Sequence, residues 1–171
     1  EALTGDWVQT HPTPPETLCA IGTAENSSVD QLFRIDRYAD APTGVLLGQT
    51  HTPGGTPPDL GDVAVDPGSG AMCGVSWDYS RLYEVDPADA EVVWNGAWGL
   101  PSEETALEFD AAGQLYSWGC NETLHQVDPL TGEKTAVGNA GAVGYGAAGG
   151  LAFDTDGALY GIGHRPDGSR G

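Results

Sequence analysis

Four histidines, three cysteines and 25 carboxylates are the side chains with which this 171-residue chain could do chemistry. His11, His51, His125 and His164 stand far apart, and none falls in an H-x-x-H or H-E-x-x-H pair. His51 and His164 could make a divalent-metal set with Asp62 or Glu103 only if the fold carries them to one channel. No G-x-S-x-G serine, no cysteine–histidine signature and no phosphate loop is present. Thr155-Asp156-Gly157 after Asp154 opens like a calcium loop but lacks the later ligands and the closing glutamate. The expectation is therefore no catalytic residue, no metal and no cofactor. A second group of residues suits binding better. Trp77, Asp78, Tyr79, Trp98, Glu103, Glu104, Asn121 and Glu122 combine aromatic platforms with carboxylates and an amide. Such a set could hold a sugar, a peptide or a cation. The competing reading packs both tryptophans between structural units and leaves the carboxylates solvated.

Composition narrows the classes. Twenty-five acidic against six basic side chains give a net charge of −19, and the isoelectric point is near 4.1. Six cations cannot offset that field at a phosphate backbone, so nucleic acid is excluded as a partner. No apolar run reaches the roughly 18 residues of a membrane span. Lys134 is the sole lysine. Strong acidity with almost no lysine suits a secreted or extracytoplasmic protein. Two sequons, Asn26-Ser27-Ser28 and Asn121-Glu122-Thr123, match the glycosylation pattern. Glycine (26) and proline (12) are abundant, which signals turns and argues against a helical bundle.

Internal repetition decides the architecture. Val63-Ala64-Val65-Asp66, Leu107-Glu108-Phe109-Asp110 and Leu151-Ala152-Phe153-Asp154 share one pattern, and their aspartates stand 44 residues apart. A second motif follows each, as Met72-Cys73-Gly74-Val75, Leu115-Tyr116-Ser117-Trp118 and Leu159-Tyr160-Gly161-Ile162. It also occurs earlier, as Leu18-Cys19-Ala20-Ile21. A third motif covers 32–36, 82–86 and 124–128, and a fourth covers 44–48, 91–94 and 134–138. Each is short, apolar and bounded by Gly, Pro or Asp, which reads as a strand. Named A to D in order, they form a four-stranded antiparallel meander joined by tight A–B and C–D turns. The fold class is thus all-β, a β-propeller or partial propeller with a repeat of 44 residues. The strings "LAFDTDGALYGIG" and "LHQVDPLTGEKTAVG" resemble the blades of NHL-type and YVTN-type propellers. That resemblance spans residues 17–164 and implies a fold, not an activity.

The chain reads as one domain over 1–171, with blades at 17–49, 62–95, 106–139 and 150–164 and a lone D strand at Gly5–Gln9. The last blade shows only A and B, so the ring is expected to be completed by a missing segment, by the N-terminal strand or by another chain. Turn-forming A–B and C–D links share one face and read as structural. The aspartates that end strands A and C are expected to cap these turns. The longer B–C and D–A loops share the other face and carry the aromatic and acidic residues named above. Cys19 and Cys73 occupy equivalent positions of successive blades, so their side chains cannot converge on a disulfide. They read as small core residues, with Cys120 offset from both. The expected function is a non-enzymatic, extracytoplasmic binding or scaffold module acting on a protein or carbohydrate through the B–C and D–A face. One alternative is a lactonase or lyase with a metal near the channel, around His51, Asp62, Glu103 and His164. Another is a structural subunit of a surface assembly.

Overall fold

The computed structural model describes residues 18–23, 29–36, 43–55, 58–76, 81–94, 104–119, 123–138 and 146–164. These form strands and turns only, and among them no helix is long and apolar enough to cross a membrane. The first sheet is β1 (Leu18–Thr23), β2 (Asp30–Asp36) and β3 (Thr43–Gln49). The second is β4 (Leu60–Val65), β5 (Met72–Ser76), β6 (Leu82–Val85) and β7 (Val92–Trp94). The third is β8 (Glu104–Phe109), β9 (Leu115–Gly119), β10 (Leu124–Val127) and β11 (Lys134–Ala136). The fourth is β12 (Gly146–Phe153) and β13 (Leu159–His164). Each is an antiparallel meander in sequence order. The anticipated strand at Gly5–Gln9 lies outside the described residues.

The registers repeat as the motifs do. Val65 pairs with Met72, Phe109 with Leu115 and Phe153 with Leu159, each closing an A–B hairpin. In β4 and β8 a bulge interrupts the register at the same place in the repeat, between Leu60 and Asp62 and between Glu104 and Ala106. Such an extra residue bends and twists a strand. The inner strands β4, β8 and β12 contact one another in turn, and β1 contacts β4. This is the blade-against-blade arrangement of a β-propeller.

The core lies in the seams between blades. Leu32 of the first blade packs with Leu60, Met72, Tyr83, Val85 and Val92 of the second. Ala64, Cys73, Val75 and Leu82 of the second pack with Leu107, Phe109, Leu115 and Val127 of the third. Ala106 and Trp118 of the third pack with Leu151 of the fourth. Neighbouring residues of one strand thus serve opposite seams. Met72 and Cys73 face different blades, and all five residues of β5 are buried. A strand covered on both faces needs apolar residues at both parities, so β5 lacks polar alternation. Cys19 packs toward the first seam and Cys73 lies in the second. Burial pushes both thiols up, Cys73 to about 11, so neither is a ready nucleophile.

The turns follow one plan. In each of five, an aspartate carboxylate accepts the amide two residues ahead: Asp66 from Gly68, Asp86 from Ala88, Asp110 from Ala112, Asp128 from Leu130 and Asp154 from Asp156, at 2.8–2.9 Å. These bonds satisfy amides the strands cannot pair, which is the capping role expected of those aspartates. Gly70 and Gly132 take positive φ at the close of two six-residue turns. Ala90 stands in the same slot of the third, with φ of 65°.

Candidate functional site

The link from β3 to β4 leaves the first blade and runs along the outer edge of the second. Its backbone is pinned there. His51 N–H donates to Ala90 O at 3.3 Å, and Val92 N–H donates to His51 O at 2.7 Å, forming a parallel bridge between His51 and Glu91. Thr52 and Gly55 then bridge across a Thr-Pro-Gly-Gly turn. Between this link and the second blade opens a cleft of about 440 Å³.

One wall of the cleft is the link itself, with Thr52, Pro53 and Pro58. The other is Arg81 and Tyr83 beside Val93 and Trp94. Tyr83 and Trp94 are cross-strand partners. Tyr83 is buried, whereas Trp94 is 49% exposed, which is unusual for so large an apolar ring. The Arg81 guanidinium lies 4.8 Å from the centroid of the Trp94 ring, within the range of cation–π attraction. Backbone bonds fix the arginine: Ser76 N–H donates to Arg81 O at 3.0 Å, and Arg81 N–H to Ser76 Oγ at 3.4 Å. The cleft thus presents a rigid aromatic face, a cation and two prolines. It draws on one D–A link and the last residue of one B–C loop.

Two further clefts lie on the turn side, one beside Gly70 and Asp86 and the other beside Gly113 and Asp128. They occupy equivalent places in the second and third blades. A feature that recurs with the repeat belongs to the scaffold rather than to one site.

Of the residues expected to bind, Trp77, Asp78, Tyr79, Trp98, Glu103, Asn121 and Glu122 lie outside the described residues. Glu104 opens β8, its backbone paired with Gly119. The channel set expected for a metal enzyme is not assembled by its described members. Both Asp62 oxygens accept backbone amides, from Val63 and from Leu107, each at 2.9 Å. His51 lies instead beside Asp89 and Glu91 on the outer edge. Asp62 joins the second blade to the third, as Asp30 joins the first to the second by accepting Leu60 N–H at 2.7 Å.

Sequence reasoning placed Trp94 in a D strand and gave it no role. Its one visible signal is a tryptophan at the end of an outermost strand, where half of its surface is left without a covering blade.

The partly buried Glu108 on β8 carries a raised pKa of about 7, chiefly from desolvation and further from the Asp62 charge. Desolvation likewise raises Asp62, against the lowering effect of its two amide bonds.

No protein-family model matches the chain, and no curated protein matches it. Solved structures do. A protein of unknown function from Bacteroides thetaiotaomicron VPI-5482 is similar with a TM-score of 0.63 at 16% identity, over 87% of this chain and 40% of that one. A protein of unknown function from Bacteroides caccae gives 0.52 at 14% identity, over 91% and 59%. YCF48, in a structure bound to D1 peptide, gives 0.50 at 14% identity, over 90% and 50%. The chain therefore spans 40% to 59% of the length of these neighbours. At such identities the likeness establishes the propeller fold alone and does not separate NHL-type from YVTN-type blades.

Proposed function

We propose that the chain is a non-enzymatic binding module whose partner is a polypeptide segment, held in the cleft between the β3–β4 link and the second blade. The observation that carries this reading is the exposed Trp94 ring under the Arg81 guanidinium, facing a proline-containing link. An exposed tryptophan beside a half-buried arginine brings together the residue types that dominate protein interfaces. YCF48, which shares the fold, was solved with a peptide, and this supports a polypeptide over a sugar as the partner class. The aromatic and acidic B–C and D–A loops, including Trp77, Tyr79 and Trp98, would extend the same surface. An extracytoplasmic setting and kinship with NHL-type or YVTN-type propellers complete the reading, supported by the acidic composition and by the blade motifs.

The test is selection of peptides from a displayed library on the full chain, followed by affinity measurement of the selected peptides on variants. Trp94→Ala and Arg81→Ala are expected to weaken them by more than about tenfold, and the turn variant Asp128→Ala to leave them unchanged. Peptides indifferent to both cleft variants would show that the cleft is not the binding surface. Recovery of no peptide, with binding to a glycan array instead, would replace the partner class.

A further inference from the structure

One ring nitrogen of His51 and one carboxylate oxygen each of Asp89 and Glu91 lie within 4.8 Å of one another. The three residues come from different blades: His51 from the link that leaves the first, Asp89 and Glu91 from the C–D turn of the second. Asp89 and Glu91 share a turn, but nothing local in sequence brings His51 to them. The parallel bridge at His51 and Glu91 does so through its two backbone bonds, so the approach is built into the seam.

His51 Nδ1 lies 3.3 Å from Gln49 O. A carbonyl oxygen only accepts, so in this contact Nδ1 is the donor and Nε2 is the nitrogen that a metal would take. A histidine held by a backbone carbonyl in this way is the usual partner arrangement of metal ligands.

Glu91 stands in the turn slot that Glu133 fills in the third blade, so what sets this turn apart is His51 beside it and a carboxylate at Asp89. In the three six-residue turns, the residue before the positive-φ slot accepts an amide two positions ahead. Ser69 Oγ accepts Ala71 N–H at 3.2 Å, and Thr131 Oγ1 accepts Glu133 N–H at 3.2 Å. Asp89 Oδ1 does the same for Glu91 N–H at 3.0 Å. A hydroxyl serves the bond in the other two turns. The carboxylate of Asp89 therefore offers one oxygen more than the turn bond uses. Among the described residues, this is the one place where histidine and carboxylates converge in such a group.

We propose that His51, Asp89 and Glu91 form a divalent-cation site for zinc, which fastens the first blade to the outer edge of the second. One imidazole nitrogen with two carboxylate oxygens matches zinc chemistry, whereas an all-oxygen set would favour calcium or magnesium. Tetrahedral zinc with bonds of about 2.0–2.1 Å requires ligand atoms closer together than 4.8 Å. The three exposed or half-exposed side chains close by rotamer adjustment, with no change in the backbone. A fourth position remains for water or for a donor from a partner. His51 and Glu91 adjoin Thr52 and Val92, which line the cleft. The site stands independently of what the cleft binds.

The experiment is calorimetric titration of the metal-stripped full chain with zinc chloride, with calcium chloride as comparison, together with thermal unfolding with and without zinc. Expected are one zinc ion per chain, a higher melting temperature with zinc and little heat with calcium. His51→Ala and Glu91→Gln should each weaken zinc by more than about tenfold and abolish its effect on melting. Asp89→Asn, which can keep the turn bond, should weaken zinc without lowering the melting temperature of the metal-free chain. Cobalt in place of zinc should give weak visible bands without a thiolate charge-transfer band. Zinc uptake unchanged in His51→Ala and Glu91→Gln, a thiolate band that survives those changes, or no zinc uptake by the parent chain would overturn the site.

Discussion

The carboxylate of Asp62 and the backbone amide of Leu107 meet at 2.9 Å across the seam between the second and third blades. The bulge at Leu60–Asp62 turns this side chain toward the neighbouring inner strand. Its other oxygen takes the Val63 amide, so two amides within inner strands depend on one carboxylate. Asp62→Ala strands the buried Leu107 N–H and should lower stability by about 1–3 kcal/mol. Asp62→Asn retains one acceptor and sheds a desolvated charge, so its loss should be smaller. Urea unfolding monitored by tryptophan fluorescence checks this. An alanine variant with an unchanged midpoint and slope would show that water replaces the clamp.

A second consequence concerns pH. Glu108 has its pKa raised from 4.5 to about 7 by burial and by Asp62. A carboxyl raised in the folded state stabilises fully below its unfolded pKa, and that contribution is lost as pH rises through the folded value. The turn aspartates act in the opposite sense. Asp66 is lowered first by the Ser69 hydroxyl, Asp128 by the Leu130 amide and Asp154 by the Ala158 amide. Their contribution is present above 3.8 and is lost as pH falls through their folded values. The melting temperature should therefore rise as pH is lowered from about 7 to about 5 and fall in stronger acid. Glu108→Gln should shrink the first change and leave the acid limb intact. A variant with the parent profile would remove Glu108 as the cause.

The turns themselves offer a graded test. Asp110 Oδ1 accepts both Ala112 N–H and Gln114 N–H at 2.9 Å. Asp110→Ala should cost about 1 kcal/mol, as loss of a comparable capping side chain does. Asp110→Asn should recover most of it, because one oxygen serves both amides. Unfolding midpoints for the pair decide this, and equal losses would mean that the charge matters rather than the bond.

How far the sequence reached follows from the same residues. The strands are legible because an aspartate closes A and C and turn-forming residues follow it, as at Asp66-Pro67-Gly68 and Asp128-Pro129. Membership of a seam was not readable. Met72 and Cys73 are both apolar, and only three-dimensional stacking sends one to each neighbour. Asp62 reads in the sequence as the end of a D–A loop, open to a channel metal set, because nothing there marks the bulge that takes it into β4 or the amides it accepts. Those amides are Val63 on its own strand and Leu107 on the next inner strand. Trp94 was read as a strand residue, since nothing local says that an outermost strand leaves one face uncovered. The meeting of His51 with Asp89 and Glu91 depends on the path of the link across a blade edge, which no spacing rule encodes.

Gly48 provides a direct probe of that edge. A Cβ on Gly48 would lie 2.6 Å from Asp89 O and 3.2 Å from the Ala90 methyl. Backbone stands in the way, so β3 or the turn must move. Gly48→Ala should cost about 1–3 kcal/mol, in the manner of an overpacked core. It should also part His51 from Asp89 and Glu91 and weaken zinc with them. Gly44→Ala, on the same strand with its nearest atom 4.0 Å away, should stay within about 0.5 kcal/mol of the parent. Loss of stability with zinc affinity preserved would show that the seam yields elsewhere.

The cleft and the aromatic loops make separable demands on a bound peptide. Trp94 is a described wall residue, carried by a strand and held under Arg81 at 4.8 Å. Its ring needs no ordering on binding, so its removal should act mainly on the dissociation rate. Trp77 and Trp98, expected from the sequence to lie in a B–C and a D–A loop, are the competing anchors. For a selected peptide, Trp94→Ala should therefore speed dissociation more than Trp77→Ala or Trp98→Ala, measured by surface plasmon resonance at fixed ionic strength. Arg81→Lys keeps the charge but loses the planar stacking surface, and should fall between the parent and Arg81→Ala. The reverse ranking, with the loop tryptophans dominant and Trp94 silent, would move the binding surface off the cleft and onto the B–C and D–A loops alone.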